Sequence, residues 1–174
     1  NGFIPGDQDN IIKKIKEKGN HNYWWQHARD VWTDELTALL DEQLAVRAST
    51  TSPYWGRSIG TDWMLSEMVI RQDQSTAEKL LRSYWENLRF SPYFFQAALY
   101  VATPRMLELV KNAIAECTSP KEMFEHITHH FGIKTIGHPG VTRTEQVRGL
   151  VPYLDHIDDM EMYQFWELCN ERGW

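Results

Sequence analysis

Three Ser-Pro or Thr-Pro dipeptides between residues 91 and 120 constrain the fold of the chain more than any other feature. A serine or threonine hydroxyl is a favoured helix N-cap, and proline suits the first helical position, where its missing N–H is not needed. The dipeptides are Ser91-Pro92, Thr103-Pro104 and Ser119-Pro120. Because they follow one another closely, they predict a series of short helices in this part of the chain.

Capping boxes, in which a serine or threonine is answered by a glutamate three residues later, predict further helix starts. They occur at Ser75 with Glu78, Ser119 with Glu122, and Thr142 with Glu145. Between the starts, apolar residues recur with helical spacing, and no segment alternates as a strand would. The predicted helices are about 9–18, 21–31, 33–48, 61–72, 76–89, 92–102, 104–117, 120–131, 143–156 and 158–172. Pro152 is expected to kink or split the ninth of these helices. The predicted fold class is all-α.

The links between residues 75 and 120 are so short that consecutive helices must fold back on each other as antiparallel neighbours. Starts two helices apart recur at similar distances, at 75 and 103 and at 91 and 119. This pattern predicts antiparallel helix pairs stacked as a HEAT-like α-α superhelix. An irregular helical bundle is the alternative. We expect residues 1–174 to form a single helical-repeat domain, and the missing initiator Met suggests a piece of a larger protein.

Composition narrows the classes of function. The chain has 174 residues, 42% of them hydrophobic and 13% aromatic, which supports a packed core rather than disorder. The formal net charge of −6 disfavours nucleic acid as a partner, because phosphate binding needs a field of Lys and Arg. No apolar run approaches the ~20 residues that cross a bilayer, so the expected location is the cytoplasm, without membrane association. Cys117 and Cys169 fall in predicted helices and are expected to be free thiols, with a disulfide as the alternative.

Two longer links interrupt the predicted helices, at residues 49–60 and 132–141. Long links in a compact repeat often carry function, although irregular connections look the same. Trp55 in the first link either fills the core from outside or projects as a binding anchor. Tyr54, Trp55 and Tyr93 are therefore the candidate partner-binding residues.

A histidine-rich segment is the strongest chemical signal in the sequence. Glu122, His126, His129 and His130 have the three- and four-residue spacing that places several ligands on one helical face. The zincin pattern is broken, because Ile127 stands where it requires glutamate. A metal-dependent hydrolase built on this segment is thus one hypothesis, and a solvated face with histidines near a helix end is the alternative.

Other enzymatic signals are missing from the sequence. It contains no nucleophile elbow, no phosphate-binding glycine loop and no dinucleotide fingerprint. No catalytic residue and no cofactor are therefore predicted.

A HEAT-like DNA-binding or repair module remains a further hypothesis, and it predicts a basic cluster on one face. Its members would be Arg82, Arg89, Arg105 and Lys111.

The C-terminal half resembles the helical-repeat regions that follow the nucleotide-binding module in bacterial STAND and NACHT-type NTPases. The resemblance rests on residues 91–100 (SPYFFQAALY), 150–154 (LVPYL) and 166–174 (WELCNERGW), and it covers roughly the last ninety residues. It implies a sensor or scaffold array, with ATP binding and oligomerisation supplied elsewhere in a parent chain. Together with the aromatic content, it favours a non-catalytic module that recognises a protein partner.

Overall fold

The computed structural model describes residues 7–18, 33–50, 52–56, 59–119, 121–123, 125 and 159–172. In this part of the chain the regular structure is entirely helical, and the helices pack against one another, so the fold is all-α as predicted. The helices are α1 Asp7–Lys18, α2 Asp34–Ala48, α3 Asp62–Ile70, α4 Gln74–Leu88, α5 Pro92–Val101, α6 Pro104–Glu116 and α7 Asp159–Arg172. The predicted helices 21–31 and 143–156, the link 132–141 and most of 120–131 lie outside the described residues.

The capping signals predict the start of α6 correctly and that of α4 incorrectly. At α6, the N–H of Met106 donates to the Thr103 hydroxyl at 3.2 Å, and Pro104 occupies the first turn. At α4 the N-cap is Asp73, whose carboxylate accepts from the Thr76 N–H at 2.9 Å. The predicted box of Ser75 with Glu78 is therefore wrong. An aspartate is an equally good N-cap, and it places the start of the helix earlier in the chain.

Ser91 occupies the predicted N-cap position of α5, but its hydroxyl makes no capping bond to that helix. It donates instead to Asp62 Oδ2, at 2.8 Å, at the first residue of α3. Both side chains are buried, so this hydrogen bond lies inside the molecule. It holds the N-termini of α3 and α5 next to each other.

The helices pack on near neighbours in the chain. In the segment from α2 to α6, each of the first three helices contacts the next helix and the one after it. The most extensive of these contacts is between α3 and α5. Because α3 and α5 meet at their N-termini and also line a common groove through Ile70 and Tyr100 near their C-termini, they run side by side in the same direction. The α2 and α4 helices are joined by a hydrogen bond from the Tyr84 hydroxyl to Asp41.

The core is continuous across these helices. Its largest fully buried side chains include Phe94 and Phe95 of α5 and Leu65 and Met68 of α3. Burying a side chain of this size stabilises the fold by about 1.5–3 kcal/mol relative to leaving it exposed. The helices α3 and α5 are the most apolar of the described helices, and the contact between them is the most extensive.

The link between α2 and α3 contributes to this core. Trp55 packs edge-on against Phe95, with ring centroids 5.1 Å apart, and Trp85 stacks on the same ring from 6.4 Å. Gly56 then turns the chain with φ of +90°, a conformation that other residues adopt only with strain, and its N–H donates to the Phe90 carbonyl at 3.1 Å. The link is thus attached to the start of α5 by both packing and a backbone hydrogen bond.

Candidate partner-binding groove

The three candidate partner-binding residues have different environments. Tyr54 is 64% exposed and Tyr93 is 41% exposed, whereas Trp55 retains only 9% of its surface accessible. Of the two alternatives for Trp55, the structure therefore shows the one in which the ring fills the core from outside. The partner-binding role of Tyr54 and Tyr93 stays a prediction, and only these two rings are accessible for it.

The metal hypothesis falls mostly on residues that are not described. Glu122 is exposed, and His126, His129 and His130 lie outside the described residues. Within the described ranges, His, Cys, Asp and Glu side chains form no group of three that could hold a metal ion. The histidine site therefore remains a prediction from the sequence.

The basic residues of the DNA hypothesis are partly engaged in ion pairs with carboxylates. Arg89 lies 3.2 Å from Glu86 and 3.3 Å from Glu116. Lys111 lies 3.5 Å from Glu108. These carboxylates offset the charge of two of the four proposed basic residues, which weakens the attraction to phosphate that the hypothesis requires.

Both cysteine thiols are free, Cys169 buried and Cys117 half-buried. Burial raises the pKa of each thiol above its ordinary value. The reactive species of cysteine is the thiolate, and a raised pKa makes it scarce at neutral pH. Neither side chain therefore has the environment of a catalytic nucleophile.

An exposed groove runs along the contact between α3 and α5, and we refer to it as the aromatic groove. Its cavity measures about 290 Å³. The α3 wall consists of Trp63, Ser66, Glu67 and Ile70. The α5 wall consists of Tyr93, Gln96, Ala97 and Tyr100. Each set has the spacing i, i+3, i+4, i+7, which defines one face of a helix, so the groove is formed by two complete helix faces lying side by side.

The chemistry of the aromatic groove comes from three rings and one carboxylate. Trp63 is 43% exposed and Tyr93 41%, at the same end of the groove. Tyr100 is half-buried at the other end. Among the described residues that line the groove, Glu67 is the one with a formal charge, and it pairs with Arg71 at 2.6 Å one turn later. The groove therefore offers flat apolar surface together with a single negative group.

The walls of the aromatic groove are held from behind. On α3, Leu65, Met68 and Val69 are buried in the core, and the other face of α5 is buried through Phe94 and Phe95. The groove helices therefore cannot rotate without exposing apolar surface. A binding surface carried by such packed helices is formed before any partner arrives.

A buried ion pair fixes the ends of the same two helices. Arg47 near the end of α2 donates from Nε and Nη2 to the Asp62 carboxylate, at 2.5 and 2.9 Å, and from Nη1 to the Thr50 carbonyl at 2.7 Å. Asp62 also accepts from the Ile59 N–H at 3.1 Å and from the Ser91 hydroxyl. Protein groups thus donate four hydrogen bonds to this carboxylate, which offsets the cost of burying its charge.

A second groove, between α2 and α4, has a different character. Its cavity measures about 500 Å³, and Asp34, Asp41 and Lys79 are among its lining residues. The Tyr84 hydroxyl donates to Asp41 at 2.9 Å, and burial together with this carboxylate raises the pKa of Tyr84. The lining of this second groove carries charges of both signs, whereas the described lining of the aromatic groove carries the single negative charge of Glu67.

Of the residues that line the aromatic groove, sequence reasoning named Tyr93 as a candidate and did not name Trp63, Glu67 or Tyr100. A usable signal was present in α5, which contains no charged residue in PYFFQAALYV although part of its surface is exposed. A second signal was the seven-residue spacing of Tyr93 and Tyr100, which places both on one helix face. The pairing of that face with α3 was not visible in the sequence.

Comparisons with known proteins give no relative for this chain: no protein family, no curated protein and no solved structure matches it. The resemblance to NTPase sensor regions therefore rests on the sequence motifs alone. Among the described helices, none is both long enough and apolar enough to cross a membrane.

Proposed function

We propose that this chain is a non-catalytic helical-repeat scaffold that binds a protein partner, and that the aromatic groove is its contact surface. The observation that carries the proposal is the groove itself, where Trp63 and Tyr93 are accessible on two helices whose opposite faces are buried. Trp and Tyr are enriched among the residues that dominate binding energy at protein interfaces. Rings placed on rigid helices bind with little loss of conformational freedom.

The packing of the helices supports a HEAT-like arrangement for this scaffold. Stacked helix pairs bring every second helix side by side in the same direction, so that the helices form two layers. Here α3 and α5 lie side by side in the same direction. The corresponding pairs α2 with α4 and α4 with α6 are also in contact. In the proposed arrangement α3 and α5 belong to one layer, and the polar helices α2 and α4 belong to the other. The partner then binds to the layer that carries the aromatic groove.

The proposed biological setting is the sensor part of a bacterial signalling or defence NTPase located in the cytoplasm. It is supported by the resemblance of residues 91–100, 150–154 and 166–174 to the helical-repeat regions of STAND and NACHT-type NTPases. In this setting the aromatic groove recognises a partner, and another part of the parent chain binds and hydrolyses ATP. The proposal assigns no catalytic residue and no cofactor to this chain.

The proposal is tested by selecting peptides from a display library on the purified chain. Selections run in parallel on the wild-type protein and on variants Trp63→Ala, Tyr93→Ala and Tyr163→Ala. Tyr163 is 61% exposed on α7 and does not line the groove, so its variant is a matched control for the loss of an exposed ring. Thermal melting establishes that each variant is folded.

We expect peptides enriched on the wild-type protein to lose about tenfold or more in affinity on Trp63→Ala and Tyr93→Ala, because Trp and Tyr truncations at central interface positions typically have effects of this size. The same peptides should bind Tyr163→Ala as they bind the wild type. A selection in which no enriched peptide depends on Trp63 or Tyr93 would overturn the proposed function.

A further inference from the structure

The aromatic groove combines π surfaces with a carboxylate, and this chemistry indicates what kind of side chain it takes. We propose that the partner anchors itself by inserting one lysine or arginine side chain between Trp63, Tyr93 and Glu67. This inference rests on the proposed function and adds the chemical class of the ligand. The partner is thus a peptide segment that presents a basic residue to the groove.

Charge complementarity supports a cation over an apolar anchor. The faces of Trp and Tyr rings carry negative electrostatic potential and attract Lys and Arg, with Trp the strongest of the three aromatic side chains. Among the described residues of the lining, Glu67 carries the formal charge, and that charge is negative. The whole chain has a net charge of −6, which favours the approach of a basic segment.

The pair formed by Glu67 and Arg71 shows that the carboxylate can hold a cation. Arg71 Nη2 lies 2.6 Å from Glu67 Oε1, and both side chains are partly exposed. An exposed ion pair of this kind contributes little to stability, so an incoming cation can displace it. Arg71 is therefore a competitor within the chain itself, and its removal should strengthen the binding of a basic ligand.

The dimensions of the aromatic groove fit a single long side chain. Trp63 and Ile70 are seven residues apart on α3, which corresponds to roughly 10 Å along the helix axis. The cavity of about 290 Å³ lies near the lower limit for ligand pockets, roughly 300 Å³. A whole helix therefore does not enter the groove, whereas an extended segment places one side chain in it and continues along the surface.

The test uses peptides selected on the aromatic groove and neutral analogues of the same peptides, with norleucine in place of lysine or citrulline in place of arginine. Calorimetry measures the dissociation constants for the wild-type protein and for variants Glu67→Gln and Arg71→Gln. Tyr163→Ala serves again as the matched control, and thermal melting confirms that the variants are folded. Each titration is repeated at low and high salt, because ionic contacts weaken as salt rises.

We expect the neutral analogues to bind about two- to thirtyfold more weakly, the range that cation–π contacts cover. Glu67→Gln should weaken the basic peptides several-fold and reduce their salt dependence. Arg71→Gln should strengthen them, an effect that a purely apolar anchor would not produce. These results together support the inference.

Groove-dependent peptides that bind equally well without their basic residue would overturn the inference and leave the proposed function in place. Equal affinity of the wild type, Glu67→Gln and Arg71→Gln for the basic peptides would also overturn it. The absence of any groove-dependent peptide would instead overturn the proposed function, and the two failures are therefore distinguishable.

Discussion

Arg47 and Asp62 form a buried two-bond ion pair, with Nε and Nη2 of the guanidinium 2.5 and 2.9 Å from the two carboxylate oxygens. The Asp62 side chain is fully buried and that of Arg47 is 5% exposed. The pair connects the end of α2 to the start of α3, and the bond from the Ser91 hydroxyl to Asp62 extends it to the start of α5. The relative position of the two helices that form the aromatic groove thus depends on a polar contact inside the molecule.

Removing one member of this pair should destabilise the protein strongly. We expect Arg47→Met and Asp62→Asn each to lower the free energy of unfolding by about 3–5 kcal/mol, because the remaining group stays buried without its partner. The double variant should lose clearly less than the sum of the two, since neither charge then remains. Urea denaturation followed by circular dichroism measures the free energy of unfolding of the two single variants and the double variant. Strictly additive losses would show that the two side chains are not coupled.

Trp55 and Tyr54 are neighbours in the sequence and should respond in opposite ways to truncation. Trp55→Ala removes a ring that packs on Phe95 in the core, and we expect a loss of about 3–5 kcal/mol in the free energy of unfolding. Tyr54→Ala removes a ring that is 64% exposed, and the expected change is within about 0.5 kcal/mol. Chemical denaturation of both variants provides the measurement. Similar losses for the two would contradict the burial of Trp55.

The N-cap of α4 should give stability that depends on pH. Hydrogen bonds from Thr76 lower the pKa of the Asp73 carboxyl below its ordinary value, so the folded state favours the ionised form. The ionised cap therefore stabilises the folded state fully above the pKa of the carboxyl in the unfolded chain, about 4. This stabilisation is lost as the pH falls through the lower pKa of the folded state.

We therefore expect Asp73→Ala to cost about 1 kcal/mol at neutral pH, with the difference from wild type shrinking below pH about 4. Asp73→Asn is the control, because asparagine caps the helix and does not ionise. The test is to measure the free energy of unfolding of both variants and the wild type at pH 7, 4.5 and 3. These pH values lie on either side of the ordinary carboxyl pKa, about 3.9. A cost for Asp73→Ala that is the same at all three would argue against the ionised cap.

The scaffold proposal and the metal hypothesis make opposite predictions about metal content. We expect the purified chain to contain no stoichiometric transition metal, and its melting temperature to be unchanged by a chelator. A hydrolase built on Glu122, His126, His129 and His130 would instead hold about one metal ion per chain and lose stability on chelation. Elemental analysis with melting curves before and after chelation decides between them. Substitution of His126 and His130 by Ala would then identify the ligands of any metal found.

Much of the helical pattern was predictable from residues close together in the chain. The caps at Thr103 and Asp73 act on N–H groups three residues later, and the apolar spacing within each helix repeats over a few residues. The all-α class and the approximate bounds of the helices from α2 to α6 follow from these local signals. The error at the start of α4 had the same local origin, because Ser75 and Asp73 are both acceptable N-caps.

The tertiary structure alone decided how the helices combine. Ser91 was predicted as a simple N-cap, yet its hydroxyl donates to Asp62, 29 residues earlier in the chain. Trp55 was compatible with exposure or burial until its contact with Phe95 was visible. The aromatic groove exists because one face of α3 lies beside one face of α5. Helix starts depend on hydrogen bonds within a single turn, whereas a groove depends on which distant faces share a core, and periodicity specifies a face without specifying its neighbour.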